Sequence, residues 1–138
     1  METVVERFKQ THYRLNGGSL GLLNELYDDD VSFEDPFHRI AGLPQLTAYF
    51  ESLYRHVTSC SFVFHDEAAT QDQAFLTWTM SWVHPRLNGG RLVTVPGSTH
   101  IRFREKVWYH RDYFDTGAML YEQLPVIRSI IRAIKARI

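Results

Sequence analysis

The chain predicts an α+β fold, on three observations. Apolar residues recur at helical spacing through the first third of the chain. From about residue 61 the period changes to the alternation of strands. An Asn88-Gly89-Gly90 turn then joins two long alternating runs as a hairpin. Helices first and a meander afterwards gather the helices on one side of an antiparallel sheet.

Taken in order, Val4, Val5, Phe8, His12 and Leu15 mark a first helix that Asn16-Gly17-Gly18 ends. Ser19 is placed to cap a short second helix carrying Leu20, Leu22, Leu23, Leu26 and Tyr27. The acidic run Asp28–Asp30 follows, with a short strand from Val31 to Phe33. A third helix spans Leu43 to His56, with Pro44 in its first turn and Leu46, Tyr49, Phe50 and Leu53 on one face. Strands are expected over 61–65, 74–84, 91–104 and 106–114. In the second of these, Leu76, Trp78, Met80 and Trp82 alternate with Thr77, Thr79 and Ser81, giving an apolar and a hydroxyl face.

After Pro125 the pattern becomes helical again. Val126, Ile127, Ile130, Ile131, Ile134 and Ile138 form an apolar face, and Arg128, Arg132, Lys135 and Arg137 occupy the rest, with no acid. Such a helix can lie on an anionic membrane surface. Packing on the sheet, closing a pocket or joining a dimer partner is the favoured reading.

Bulk properties exclude several classes. With 138 residues, 44% hydrophobic and 14% aromatic, the chain builds a substantial core and is not disordered. A net charge of -1 gives no global attraction to nucleic acid. One cysteine, Cys60, permits neither an internal disulfide nor a metal-binding pair, and is expected as a buried strand residue. The His residues show no metal-ligand spacing, so neither metal nor cofactor is expected. METVVERFKQ is too charged for a signal peptide, and no apolar run approaches the ~20 residues of a membrane span, so the expected compartment is the cytoplasm.

The stretch Phe33-Glu34-Asp35-Pro36-Phe37-His38 sets acids between aromatics. A carboxylate there either loses hydration and becomes a better base, or caps the turn before Pro36 by accepting backbone N–H bonds. His110, Asp112 and Phe114 alternate onto one face of the last strand. A His beside carboxylates can shuttle a proton while one acid fixes its tautomer, or the pair can be a structural network.

The segment LNGGSLGLLNELYDDDVSFEDP, Leu15 to Pro36, resembles ketosteroid isomerases, and HRDYFD, His110 to Asp115, resembles the last strand of limonene epoxide hydrolases. Together they resemble the nuclear transport factor 2-like superfamily, which also holds SnoaL-like polyketide cyclases. The resemblance covers Val4 to about Asp115 and implies a domain over 1–116; outside it, the residue pattern makes 117–138 a C-terminal basic amphipathic helix packed on or extending from that domain. It implies a cone: a strongly curved antiparallel sheet and three N-terminal helices around an apolar pocket, often in a homodimer. It makes Asp35 the general base, with His110 and Asp112 as acid/base or orienting partners. It puts Trp78, Met80, Trp82, Thr99, Ile101, Phe103 and Phe114 on the pocket face, with Phe50 and Tyr13 as further ligand contacts.

Neither family's full set is present. Where steroid isomerases carry an oxyanion-binding Tyr and a strand acid, this chain has Thr11 and Thr99. Where epoxide hydrolases carry Arg-x-Asp, the strand Thr77–Val83 has no charge. The expected function is therefore proton transfer on a hydrophobic carbonyl or lipid-like molecule (isomerisation, dehydration or cyclisation), or else non-catalytic binding of a hydrophobic ligand.

Overall fold

In the computed structural model, which describes residues 1–16, 18–119 and 124–138, helices pack against one face of a six-stranded sheet. Helix α1 (Val4–Arg14) starts from a capping box: Thr3 Oγ1 accepts the Glu6 N–H, and the Glu6 carboxylate accepts the Thr3 N–H. Its inner face buries Val5, Phe8, Thr11 and His12. The predicted stop at Asn16-Gly17-Gly18 follows directly, although Gly17 lies outside the described residues.

A single 3-10 turn (Leu20–Leu22) leads into the short helix α2 (Leu23–Leu26). Ser19 does not cap it; its hydroxyl is spent on Arg14 O and the Asn16 N–H. Tyr27, read from sequence as helical, instead opens strand β1 (Tyr27–Glu34), longer than expected. Gly42, at φ 89°, turns the chain from the short strand β2 (Arg39–Ala41) into helix α3 (Leu43–His56). The remaining strands are β3 (Ser59–Ala69), β4 (Gln73–Val83), β5 (Val93–Phe103) and β6 (Val107–Phe114). Two helices follow, α4 (Thr116–Met119) and α5 (Pro125–Lys135).

The strand order is β2-β1-β6-β5-β4-β3, in a curved, unclosed sheet. The α+β class and cone architecture agree with the sequence reading, but the sheet is mixed, because β1 runs parallel to β6. Alternation reports which face a residue takes and is silent on strand direction. The parallel neighbour is reached through α3 and the whole β3–β5 meander, as a parallel pair requires a long crossover.

Two clusters fill the concave side. One lies beneath α1, α2 and α3 and includes Phe8, Leu23, Leu26, Val31, Phe33, Leu46, Leu76, Ile101 and Val107. The other contains Trp78, Met80, Trp82, Leu87, Val93 and Val95, with Met119 and Leu124 against it. Gly97 faces Trp78 across the β4–β5 ladder, and a Cβ there would fall inside the indole ring. Glycine is required at this point so that Trp78 can lie flat across β5.

Candidate functional site

Between the two clusters is a cavity with about 60 Å³ open to the centre of a water-sized sphere. Trp78, Met80 and Trp82 on β4, Phe50 and Tyr49 on α3, and Phe114 on β6 line its apolar wall. Asp35, His12 and Asp112 are its ionisable lining groups, together with the Cys60 thiol and the phenols of Tyr49 and Tyr54. Alternation along β4 and β6 puts these side chains on the concave face, as expected from the sequence.

The polar groups form two separate assemblies. In the first, Asp35 caps the loop before β2. Its Oδ1 accepts the backbone N–H groups of Phe37 (2.8 Å) and His38 (2.7 Å). His38 Nδ1 lies 3.1 Å from the same oxygen, and Tyr49 donates its hydroxyl to Oδ2 at 2.8 Å. The carboxylate side chain is 4% exposed. Burial, and then the Asp35 charge and hydrogen bond, raise the Tyr49 phenol well above its ordinary range, so it stays a donor. Asp35 therefore borders the cavity and caps the turn, with both of its oxygens engaged there. Its neighbour Glu34 is turned to Arg39 and Arg111 instead.

The second assembly is a buried chain of hydrogen bonds. Trp78 Nε1 donates to Thr99 Oγ1 (2.8 Å), and Thr99 donates to Asp112 Oδ1 (2.6 Å). His110 Nε2 lies 2.7 Å from the same Oδ1, and its Nδ1 lies 2.7 Å from Tyr27 OH. Tyr27 OH in turn lies 3.1 Å from His12 Nε2. Phe8 and Phe33 pack edge-on against the His110 ring.

Electrostatics fix the proton positions. Burial would raise the Asp112 carboxyl, but the His110 charge and the His110 and Thr99 hydrogen bonds outweigh it and hold it below its ordinary range. An ionised Asp112 requires the proton on His110 Nε2. Burial, with His110 nearby, pushes His12 down to about 3, so His12 is neutral at ordinary pH. Burial, then the Asp112 charge and Tyr54, hold the Tyr27 phenol protonated. With His110 neutral, Tyr27 donates to His110 Nδ1 and accepts from His12. With His110 protonated, Tyr27 turns and donates to His12. The second arrangement needs His12 in its Nδ1–H tautomer, so that Nε2 accepts where in the first it donates.

Asp112 Oδ1 takes both bonds, so Oδ2 has no protein donor among the described residues, and the side chain remains 21% exposed in the cavity wall. One more group is unsatisfied. Trp82, 6% exposed, lines the cavity, and its Nε1–H has no acceptor among the described residues. A buried donor left unpaired costs about 1–3 kcal/mol, which an oxygen of a bound molecule would recover.

Of the other predicted contacts, Thr99 belongs to the hydrogen-bond chain, while Ile101 and Phe103 are packed in the core cluster under the helices. Tyr13 does not line the cavity; its ring is exposed and lies edge-on to Phe64. Cys60 is only partly buried, and its thiol, pushed up to about 11 by burial, is inert in the wall. Sequence reasoning missed Tyr27 and His12 as site residues. His12 was visible as a polar residue on the apolar face of the first helix. Among the described residues no group of three or more His, Cys, Asp or Glu is set to hold a metal ion.

Helices packed on a curved, unclosed mixed sheet form the cone fold of the nuclear transport factor 2-like superfamily. The SnoaL-like domain model matches residues 5–110, and the chain belongs to that family. Similar solved structures agree in fold. A protein proposed to be a SnoaL-like polyketide cyclase from Jannaschia sp. CCS1 superposes with a TM-score of 0.73 at 17% identity, over 87% of this chain and 88% of that one. A protein with a ketosteroid isomerase-like fold from Catenulispora acidiphila DSM 44928, in complex with trimethylamine, gives 0.75 at 14% identity, over 89% and 93%. An LEH-like epoxide hydrolase from M. tuberculosis gives 0.70 at 17% identity, over 94% and 93%. No curated protein sequence matches the chain.

Proposed function

We propose that this SnoaL-like protein catalyses proton transfer on a small hydrophobic carbonyl compound, with Asp112 as the group that exchanges the proton. The single observation that carries this reading is the free Oδ2 of Asp112 in an aromatic cavity, backed by His110, Tyr27 and His12. The carboxylate takes a proton from the carbon beside the carbonyl and returns it to the same or a conjugated carbon, so the reaction is an isomerisation or a step of cyclisation or dehydration. The carbonyl oxygen accepts the Trp82 Nε1–H, which polarises it as negative charge develops. His110 and Thr99 hold the carboxylate in place. Asp35, whose oxygens serve the turn and Tyr49, shapes the wall and is not the base.

The number of donors is small, and that observation favours a second reading, a non-catalytic binder of hydrophobic molecules. A homodimer, with sheets face to face, is part of the family expectation for either reading. The discriminating experiment needs no natural substrate. A panel of cyclic ketones is incubated in deuterium oxide, and deuterium uptake beside the carbonyl is followed by NMR. The wild-type protein should accelerate uptake on at least one ketone, and Asp112→Asn should lose on the order of a hundredfold or more. Retention of a ketone without any accelerated uptake would establish the binder instead.

A further inference from the structure

The C-terminal helix α5 carries an apolar face that the rest of the described fold does not cover. At about 100° per residue, Val126, Ile127, Ile130, Ile131 and Ile134 fall within an arc of about 140°. Val126 is 73% exposed, Ile130 55% and Ile134 56%. Of the arrangements expected from sequence (packing on the sheet, closing a pocket or joining a dimer partner), the single chain does not show these residues packed on the sheet.

The remaining surface of α5 decides between partners. Arg128, Arg132 and Lys135 lie together along one flank of the apolar arc, and no Asp or Glu occurs from 123 to 138. A protein partner with an apolar groove would need no such uniform charge. An anionic, apolar-centred surface would use both features at once. The helix is too short and too polar to cross a bilayer, and among the described residues no helix has a membrane-spanning length. Its length and pattern fit a helix lying in the interface, with the isoleucines toward the acyl chains and the cations among the headgroups.

We propose that α5 docks the protein on an anionic lipid surface. The surface acts independently of what the cavity does, and it is a place from which an apolar ligand would be collected.

The test uses the full chain and vesicles of phosphatidylcholine, alone or mixed with phosphatidylglycerol. Each cation near an anionic surface strengthens binding about fivefold, so Arg128 and Arg132 alone give a preference of roughly twentyfold for the anionic vesicles. That preference should fall steeply as salt is raised. Arg128→Gln with Arg132→Gln should remove most of it, and Ile130→Asp with Ile134→Asp should abolish binding to both vesicles. Ile130, Arg132 and Ile134 are exposed and Arg128 is half-buried at the helix surface, so all variants should keep the wild-type melting temperature and circular dichroism. Equal binding to both vesicle types, or none by the wild-type chain, overturns the proposal. So does an Ile130→Asp/Ile134→Asp variant that still sediments with anionic vesicles. A wild-type dimer that this variant turns into a monomer, with no vesicle binding, would instead make the face an interface between copies.

Discussion

Replacing Tyr27 by Phe removes one oxygen from the centre of the buried chain and nothing else. That oxygen lies 2.7 Å from His110 Nδ1 and 3.1 Å from His12 Nε2, and Tyr27 is fully buried. Both imidazole nitrogens lose their partner together. The adjoining void, lined by His12 and His110, holds about 10 Å³, at the lower limit for a water, so solvent does not readily take the place of the hydroxyl. Each buried polar group left unpaired costs about 1–3 kcal/mol, and two put the loss at about 2–6 kcal/mol. For a domain of this size that corresponds to a fall in melting temperature of roughly 10 °C. Urea unfolding followed by tryptophan fluorescence measures the difference at constant m. A change below about 0.5 kcal/mol would refute the idea that the Tyr27 hydroxyl bridges the two histidines in a chain closed to water.

Acid should weaken the fold in a defined window. His12 is held at about 3 in the folded state against an ordinary 6.5, so the unfolded chain binds the extra proton between those values. Stability therefore falls as pH drops below about 6.5, by about 1.4 kcal/mol per unit. His100, also lowered by burial, adds the same sign, and Asp112, lowered below its unfolded value, extends the loss below about 4. His12→Phe should remove most of the slope between pH 6 and about 4, read from urea midpoints across that range. Gly97→Ala would drive a Cβ into the Trp78 ring, displacing the indole and breaking its bond to Thr99. A loss of about 2–4 kcal/mol and an altered near-ultraviolet dichroism spectrum are expected, since overpacking and the lost bond add.

The helices are legible in the sequence because their apolar faces and punctuation are local. Leu43–His56 is bounded as read, since Pro44 and the turn at Gly42 fix its start. The alternation of Trp78, Met80 and Trp82 likewise puts three wall residues in place. Strand β2 is too short to show a period, and the parallel pairing of β1 with β6 is a property of topology. Tyr27 reads as helical because its apolar ring continues the spacing of Leu23 and Leu26, whereas its role depends on His110, far along the chain. Asp35 and Asp112 are both visible as acids among aromatics. What separates them is how many donors each oxygen already holds, which only the folded arrangement reveals.

The most direct test compares Asp112→Asn and Asp35→Asn for deuterium uptake into the ketone that wild-type protein handles best. In the Asp112→Asn variant the amide oxygen can still accept from Thr99 and His110, as Oδ1 does in the native chain, so that variant should stay folded. It should lose on the order of a hundredfold in rate, while Asp35→Asn, once corrected for folded fraction, should stay within about tenfold of wild type. Loss of uptake in Asp35→Asn with Asp112→Asn unaffected would make Asp35 the base and contradict the account.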